Sequence, residues 1–64
     1  MNTQANQYAV TIEQVRAAAK ARDIETLRHL EFCAGQWATQ AGYDETAKVR
    51  NLIDDAIFNL QSAE

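Results

Sequence analysis

Apolar residues recur at intervals of three and four along most of the chain. The first such series, Ile12, Val15 and Ala19, begins after nine residues that show no period. Spacing of this kind predicts amphipathic helices, and no run of alternating apolar and polar residues indicates a strand. We therefore expect an all-α fold with helices at residues 12–21, 24–41 and 45–61.

The first helix has a well-marked beginning. Thr11 is a favourable N-cap, and Gln14 three residues later completes a capping box. Val10 and Val15 stand at the two positions of a hydrophobic staple, which fixes the direction in which the chain enters the helix. Residues 1–9 are rich in Asn, Gln and Thr, and we expect them to form a flexible arm ahead of a single helical domain at residues 10–64.

The second helix is expected to begin after Asp23 as N-cap and to end at Gly42. Gly35 lies inside it and costs about 1 kcal/mol relative to alanine. We interpret this glycine as the site of a close helix crossing together with Ala34 and Ala38. The apolar seam follows a heptad spacing. It consists of Leu27, Leu30, Ala34, Trp37 and Ala41.

The third helix is expected to begin with Asp44 as its N-cap. Its seam again follows steps of four and three. It consists of Val49, Ile53, Ala56 and Leu60. Because only a short connection separates the second and third helices, they should form an antiparallel αα-hairpin, with the short first helix packed on it.

A chain of 64 residues builds a thin core. At this size folding hides only about 60% of the surface of the unfolded chain, and one cysteine cannot form an internal disulfide. Phe32, Cys33 and Phe58 lie beside the two seams, where the alanine-rich first helix does not cover them all. We therefore expect a homodimer with a core like a four-helix bundle, or a docking site for another protein. The residues predicted for the self-interface and core are Leu27, Leu30, Ala34, Trp37, Val49, Ile53, Ala56 and Leu60.

Charge is unevenly distributed along the chain, whose net charge is −3. The first helix carries Arg16 and Lys20, whereas the segment after residue 43 is mostly acidic. This pattern predicts a basic first helix beside an acidic third helix, within one chain or between two. The alternative is a positively charged partner that docks on the acidic end. The side chains predicted to meet a partner protein are Phe32, Tyr43, Asp54, Asp55 and Phe58.

The sequence contains no recognisable catalytic set, and we expect neither a metal nor a cofactor. Glu25, His29 and Cys33 form a row on the second helix, but ligands two turns apart span too far for one ion. Asp54 and Asp55 are adjacent, so a helix points them about 100° apart instead of towards one substrate. We therefore expect a protein that is not an enzyme.

The function expected is a small protein–protein interaction module: an adaptor, an inhibitor or a regulator, including an accessory protein of a phage or mobile element. The alternative is a DNA-binding regulator of the helix-turn-helix type, with Arg16 and Lys20 on its first helix. Asp23 and Glu25 disfavour that alternative, because they stand where the recognition helix would meet phosphates. The chain has no signal-peptide pattern and no run of about 18 apolar residues, so we expect a cytoplasmic protein without membrane contact.

Overall fold

The computed structural model describes residues 7–62, which form three α-helices and contain no strand. These helices are α1 (Ile12–Lys20), α2 (Ile24–Ala41) and α3 (Tyr43–Ser62). The prediction of an all-helical fold with three helices is confirmed. Residues 1–6 of the expected arm lie outside the described residues. None of the helices described is long and apolar enough to cross a membrane.

The capping box at the start of α1 is confirmed. The backbone N–H of Gln14 donates to Oγ1 of Thr11 at 3.1 Å, and the N–H of Thr11 donates to Oε1 of Gln14 at 2.8 Å. Val10 and Val15, the predicted staple, are each only 2% exposed. The cap therefore satisfies two backbone donors, and the staple joins the chain ahead of α1 to the core.

A tight turn at residues 21–23 joins α1 to α2. Arg22 adopts a left-handed conformation with φ of 57°, and the N–H of Asp23 donates to the carbonyl of Ala18 at 2.9 Å. Asp23 then caps α2, as predicted, by accepting hydrogen bonds from the hydroxyl and the N–H of Thr26. These two bonds, the side-chain bond first, lower the pKa of Asp23.

A single non-helical residue, Gly42, separates α2 from α3. Its φ of 109° is open to glycine and strained for other residues, and it reverses the chain within one position. Helix α3 consequently begins at Tyr43, two residues earlier than expected, and its first turn is anchored by the N–H of Thr46 on the carbonyl of Gly42. The prediction that Asp44 is the N-cap is therefore wrong, because Asp44 already lies inside the first turn.

The core lies between α2 and α3 and is closed on one side by α1. These two long helices share the most extensive contact, so they form the predicted hairpin. On α2 the buried series ends at Ala38 instead of Trp37 and Ala41; Trp37 is half-buried and Ala41 is exposed. The seam prediction fails at this end because a straight helix drifts by about 20° per heptad. The buried apolar residues are Val10, Val15, Ala18, Leu27, Leu30, Ala34, Ala38, Val49 and Ile53.

The interpretation of Gly35 as a close helix crossing is wrong. Gly35 is exposed, and a Cβ built on it would meet no atom within 4 Å. Its neighbour Ala34 is fully buried and faces the core, whereas Gly35 is turned by about 100° from it. The approach of α3 therefore uses Ala34 and does not require the glycine.

Candidate interaction surfaces

The residues predicted for the self-interface are used mainly inside the chain's own core. Five of them are at most 7% exposed, namely Leu27, Leu30, Ala34, Val49 and Ile53. The other three, Trp37, Ala56 and Leu60, are half-buried and pack against this core. A single chain thus shelters most of its apolar seam and leaves only these three residues partly exposed.

A groove runs between α2 and α3 on the side of the hairpin where no α1 residue contributes to the lining. We call it the α2/α3 groove. Its main part has a volume of about 540 Å³ and is lined by Arg28, Glu31, Asp54, Ile57, Phe58 and Gln61. A second part of about 210 Å³ adjoins it and is lined by Glu31, Ala34, Gly35, Arg50, Ile53 and Asp54. Because Glu31 and Asp54 line both parts, these carboxylates stand at the middle of one continuous groove.

The two carboxylates of the α2/α3 groove interact unfavourably when both are ionised. Burial raises the pKa of Glu31, and the hydrogen bond and negative charge of Asp54 raise this pKa further, while Arg28 lowers it. When two carboxylates lie close together, their repulsion is relieved if one of them binds a proton or if a cation binds between them. Arg28 and Arg50 also line the groove, so the two carboxylates lie among basic side chains of the same chain.

The five residues predicted to meet a partner are divided among different surfaces. Asp54 and Phe58 lie together in the α2/α3 groove, with Phe58 68% exposed. Phe32 is 58% exposed and its ring meets Tyr8 edge-on, with 6.3 Å between the centroids. The remaining two, Tyr43 and Asp55, lie elsewhere: Tyr43 is in the first turn of α3 and Asp55 faces α1.

A polar cluster at the start of α3 was not predicted from the sequence. Thr46 is fully buried, and its hydroxyl donates to the carbonyl of Gly42 at 3.2 Å. Arg50 donates from Nε to the Thr46 hydroxyl at 3.0 Å and from a terminal nitrogen to the carbonyl of Tyr43 at 2.6 Å. Its guanidinium also lies 5.3 Å from the centre of the Tyr43 ring. Threonine four residues before arginine was the only available signal, and it is a weak one.

A second groove lies between α1 and α3, and we call it the α1/α3 groove. It has a volume of about 290 Å³, and its surface is mainly apolar. Arg16 on α1 and Asp55 on α3 contribute opposite charges. The lining residues are Val15, Arg16, Ala19, Leu52, Asp55, Ala56, Asn59 and Leu60. This groove shares no residue with the α2/α3 groove.

In the row of Glu25, His29 and Cys33 on α2, the last two side chains are in contact. Sγ of Cys33 lies 3.6 Å from Nε2 of His29, and Cys33 is half-buried. Within residues 7–62, no group of three or more His, Cys, Asp or Glu side chains is placed to hold a metal ion. The contact is that expected of two residues one helical turn apart.

Comparison of the chain with protein-family models, with curated proteins and with solved structures returns no match. The geometry of the two grooves therefore carries the functional argument.

Proposed function

We propose that this protein is a small non-enzymatic interaction module, acting as an adaptor, inhibitor or regulator, and that the α2/α3 groove binds its partner protein. One observation carries the proposal: an exposed phenylalanine, Phe58, lies in the same groove as two neighbouring carboxylates, Glu31 and Asp54. Covering a large apolar side chain contributes roughly 1.5–3 kcal/mol, and aromatic side chains in pockets commonly dominate binding energies.

The lining of the groove supports one kind of partner. Ile57 and Phe58 provide apolar contacts on α3, and Glu31 and Asp54 provide negative charge at the centre. A helix that carries a lysine or arginine between apolar residues matches both features, since helix-in-groove recognition uses side chains spaced three and four apart. The cation would also remove the repulsion between the carboxylates.

Site-specific photocrosslinking in the cell of origin tests this proposal. A benzophenone amino acid at position 58 should give one protein adduct, and Asp54→Lys should abolish that adduct because it reverses the charge of the groove. The same probe at Gln40, which is exposed and lines neither groove, is the matched control. Equal adducts at positions 58 and 40, or an adduct with nucleic acid, would contradict the proposal.

The DNA-binding alternative stays a prediction with its own test. Replacing Arg16 and Lys20 by glutamate should abolish DNA binding if α1 contacts phosphates. The protein-binding proposal instead expects the adduct at position 58 to persist in this variant. A cytoplasmic location likewise stays a prediction.

A further inference from the structure

The α1/α3 groove has features that indicate a specific occupant. Its floor is formed by side chains that the fold leaves half-buried, among them Ala19, Leu52 and Ala56. Its two sides carry charges of opposite sign, because Arg16 belongs to α1 and Asp55 to α3. An occupant that fits must therefore bring apolar side chains together with both a negative and a positive group.

Neither charge of this groove is paired with another described residue. Among the described residues, Arg16 and Asp55 form no hydrogen bond and no ion pair with one another or with a neighbour. In contrast, Arg50 at the start of α3 is held by two hydrogen bonds. The Arg16 and Asp55 charges are thus available to an external partner.

We propose that the occupant is a second copy of this chain, related by a two-fold axis that passes close to Ala56. In this arrangement α3 of each subunit lies in the α1/α3 groove of the other, so that the two α3 helices contact each other. Arg16 then faces the partner subunit's Asp55, and the symmetry repeats this pair. An alanine at the axis allows the two helices to approach closely.

The charge pattern favours a second copy over an unrelated protein. A two-fold interface must be complementary to itself, and a groove with opposite charges on its two sides satisfies this condition. The α2/α3 groove also carries both signs of charge, with Arg28 and Arg50 beside Glu31 and Asp54, but Arg50 is already held by hydrogen bonds within the chain. This inference does not depend on the proposed partner protein, since the two grooves share no lining residue.

Charge exchange between subunits is the test. Arg16→Asp places two acidic groups in each contact, and Asp55→Arg places two basic groups there. Each variant alone should raise the dissociation constant of the homodimer about tenfold. A one-to-one mixture of the two variants should form a heterodimer with affinity close to that of the unmodified dimer, because every contact again pairs opposite charges. Sedimentation velocity measures all three species, and circular dichroism checks that each variant remains helical.

Matched controls come from the other groove. Arg28→Asp and Asp54→Arg change the net charge by the same amounts but lie in the α2/α3 groove, so they should leave the dimer intact. The proposal is overturned if the unmodified chain is a monomer, if the two α1/α3 variants behave like the controls, or if mixing them fails to restore the dimer. If the dimer is unchanged but the adduct at position 58 is absent, the partner proposal is wrong and the dimer proposal stands.

Discussion

The two sides of helix α3 present grooves in which the charged side chains are arranged differently. The α2/α3 groove has Glu31 and Asp54 at its centre, with Phe58 exposed beside them. The α1/α3 groove has a mainly apolar surface with Arg16 and Asp55 on opposite sides. We propose a partner protein for the first groove and a second copy of the chain for the second. The comparison shows that one helix contributes to two separate grooves with different charge arrangements.

Adjacent residues produce this difference. Asp54 and Asp55 are neighbours in the sequence, but a helix turns about 100° per residue and therefore places them in different grooves. Ile53 precedes them and is fully buried in the core. Three consecutive residues thus face the core, the α2/α3 groove and the α1/α3 groove, so a shift of one residue in α3 would destroy both surfaces.

The largest expected effect comes from a substitution in the core, because unfolding the chain removes both grooves. Ile53→Ala removes a side chain that is 0% exposed and leaves a cavity between the helices, which should cost about 2–5 kcal/mol of unfolding free energy. In a chain this short that cost is comparable with the total stability. Urea unfolding followed by circular dichroism measures it. Asn51→Ala, an exposed position on the same helix, is the control, and an equal loss in the two variants would contradict the assigned core.

A smaller change should affect only one groove. Thr11→Ala removes the hydroxyl that accepts a bond from Gln14 and should cost about 1 kcal/mol. Because α1 forms one side of the α1/α3 groove, fraying of this helix should weaken self-association and leave the adduct at position 58 unchanged. Thr11→Ser retains the hydroxyl and should retain the dimer. Sedimentation velocity distinguishes the two, and equal dimer affinities for both variants would show that α1 does not shape the interface.

Gly35→Ala should act in the opposite direction on stability. The position is helical and exposed, and a Cβ there meets no atom within 4 Å, so alanine should add about 0.5–1 kcal/mol. The added methyl group lies in the α2/α3 groove, so we expect a higher melting temperature together with a weaker adduct at position 58. Thermal unfolding and crosslinking measure the two effects. A lowered melting temperature would contradict this prediction, because it would mean that the added methyl group collides with a neighbouring atom.

The smallest expected effect is the pH dependence of Glu31. The pKa of Glu31 is raised above its ordinary value of 4.5 in the folded chain. At pH values between the ordinary and the raised pKa, the folded state therefore binds a proton more readily than the unfolded state. Stability should therefore fall as the pH rises through the raised pKa and recover as the pH falls through it. Glu31→Gln should remove this dependence and add a few tenths of a kcal/mol at neutral pH.

The pH profile has an internal reference at more acidic values. Asp23 has a lowered pKa, so its contribution is present above its ordinary value of 3.8 and is lost as the pH falls through the lowered value. Urea unfolding at a series of pH values separates the two groups. If the pH dependence of the unfolding free energy is the same for Glu31→Gln and for the unmodified chain, Glu31 and Asp54 do not interact as described.

Local signals in the sequence were sufficient for the helices and most of their ends. Thr11 and Asp23 act as caps in the predicted way, because a capping hydrogen bond depends only on residues three apart. The start of α3 was missed because a single Gly42 reverses the chain, which makes the Asp44 cap unnecessary. Gly42 signals the end of α2, but nothing in the local sequence shows that α3 begins at the very next residue.

The surfaces were less predictable than the helices. Phe58 and Asp54 were predicted as partner contacts and lie in one groove, but their neighbour Glu31 was not predicted, since it comes from another helix. The pairing of Arg50 with Thr46 was missed for a different reason. Buried threonine hydroxyls are satisfied by nearby backbone carbonyls, and nothing in the apolar period marks them.

The molar mass of the unmodified chain in solution tests the central claim most directly, namely that a self-sufficient hairpin core leaves association surfaces exposed. Sedimentation equilibrium from nanomolar to high micromolar concentration should show twice the 7.2 kDa chain mass at high concentration. On dilution the mass should fall to that of one chain while the helical circular dichroism signal persists. A single 7.2 kDa species throughout would contradict self-association, and loss of helicity on dilution would contradict the self-sufficient core.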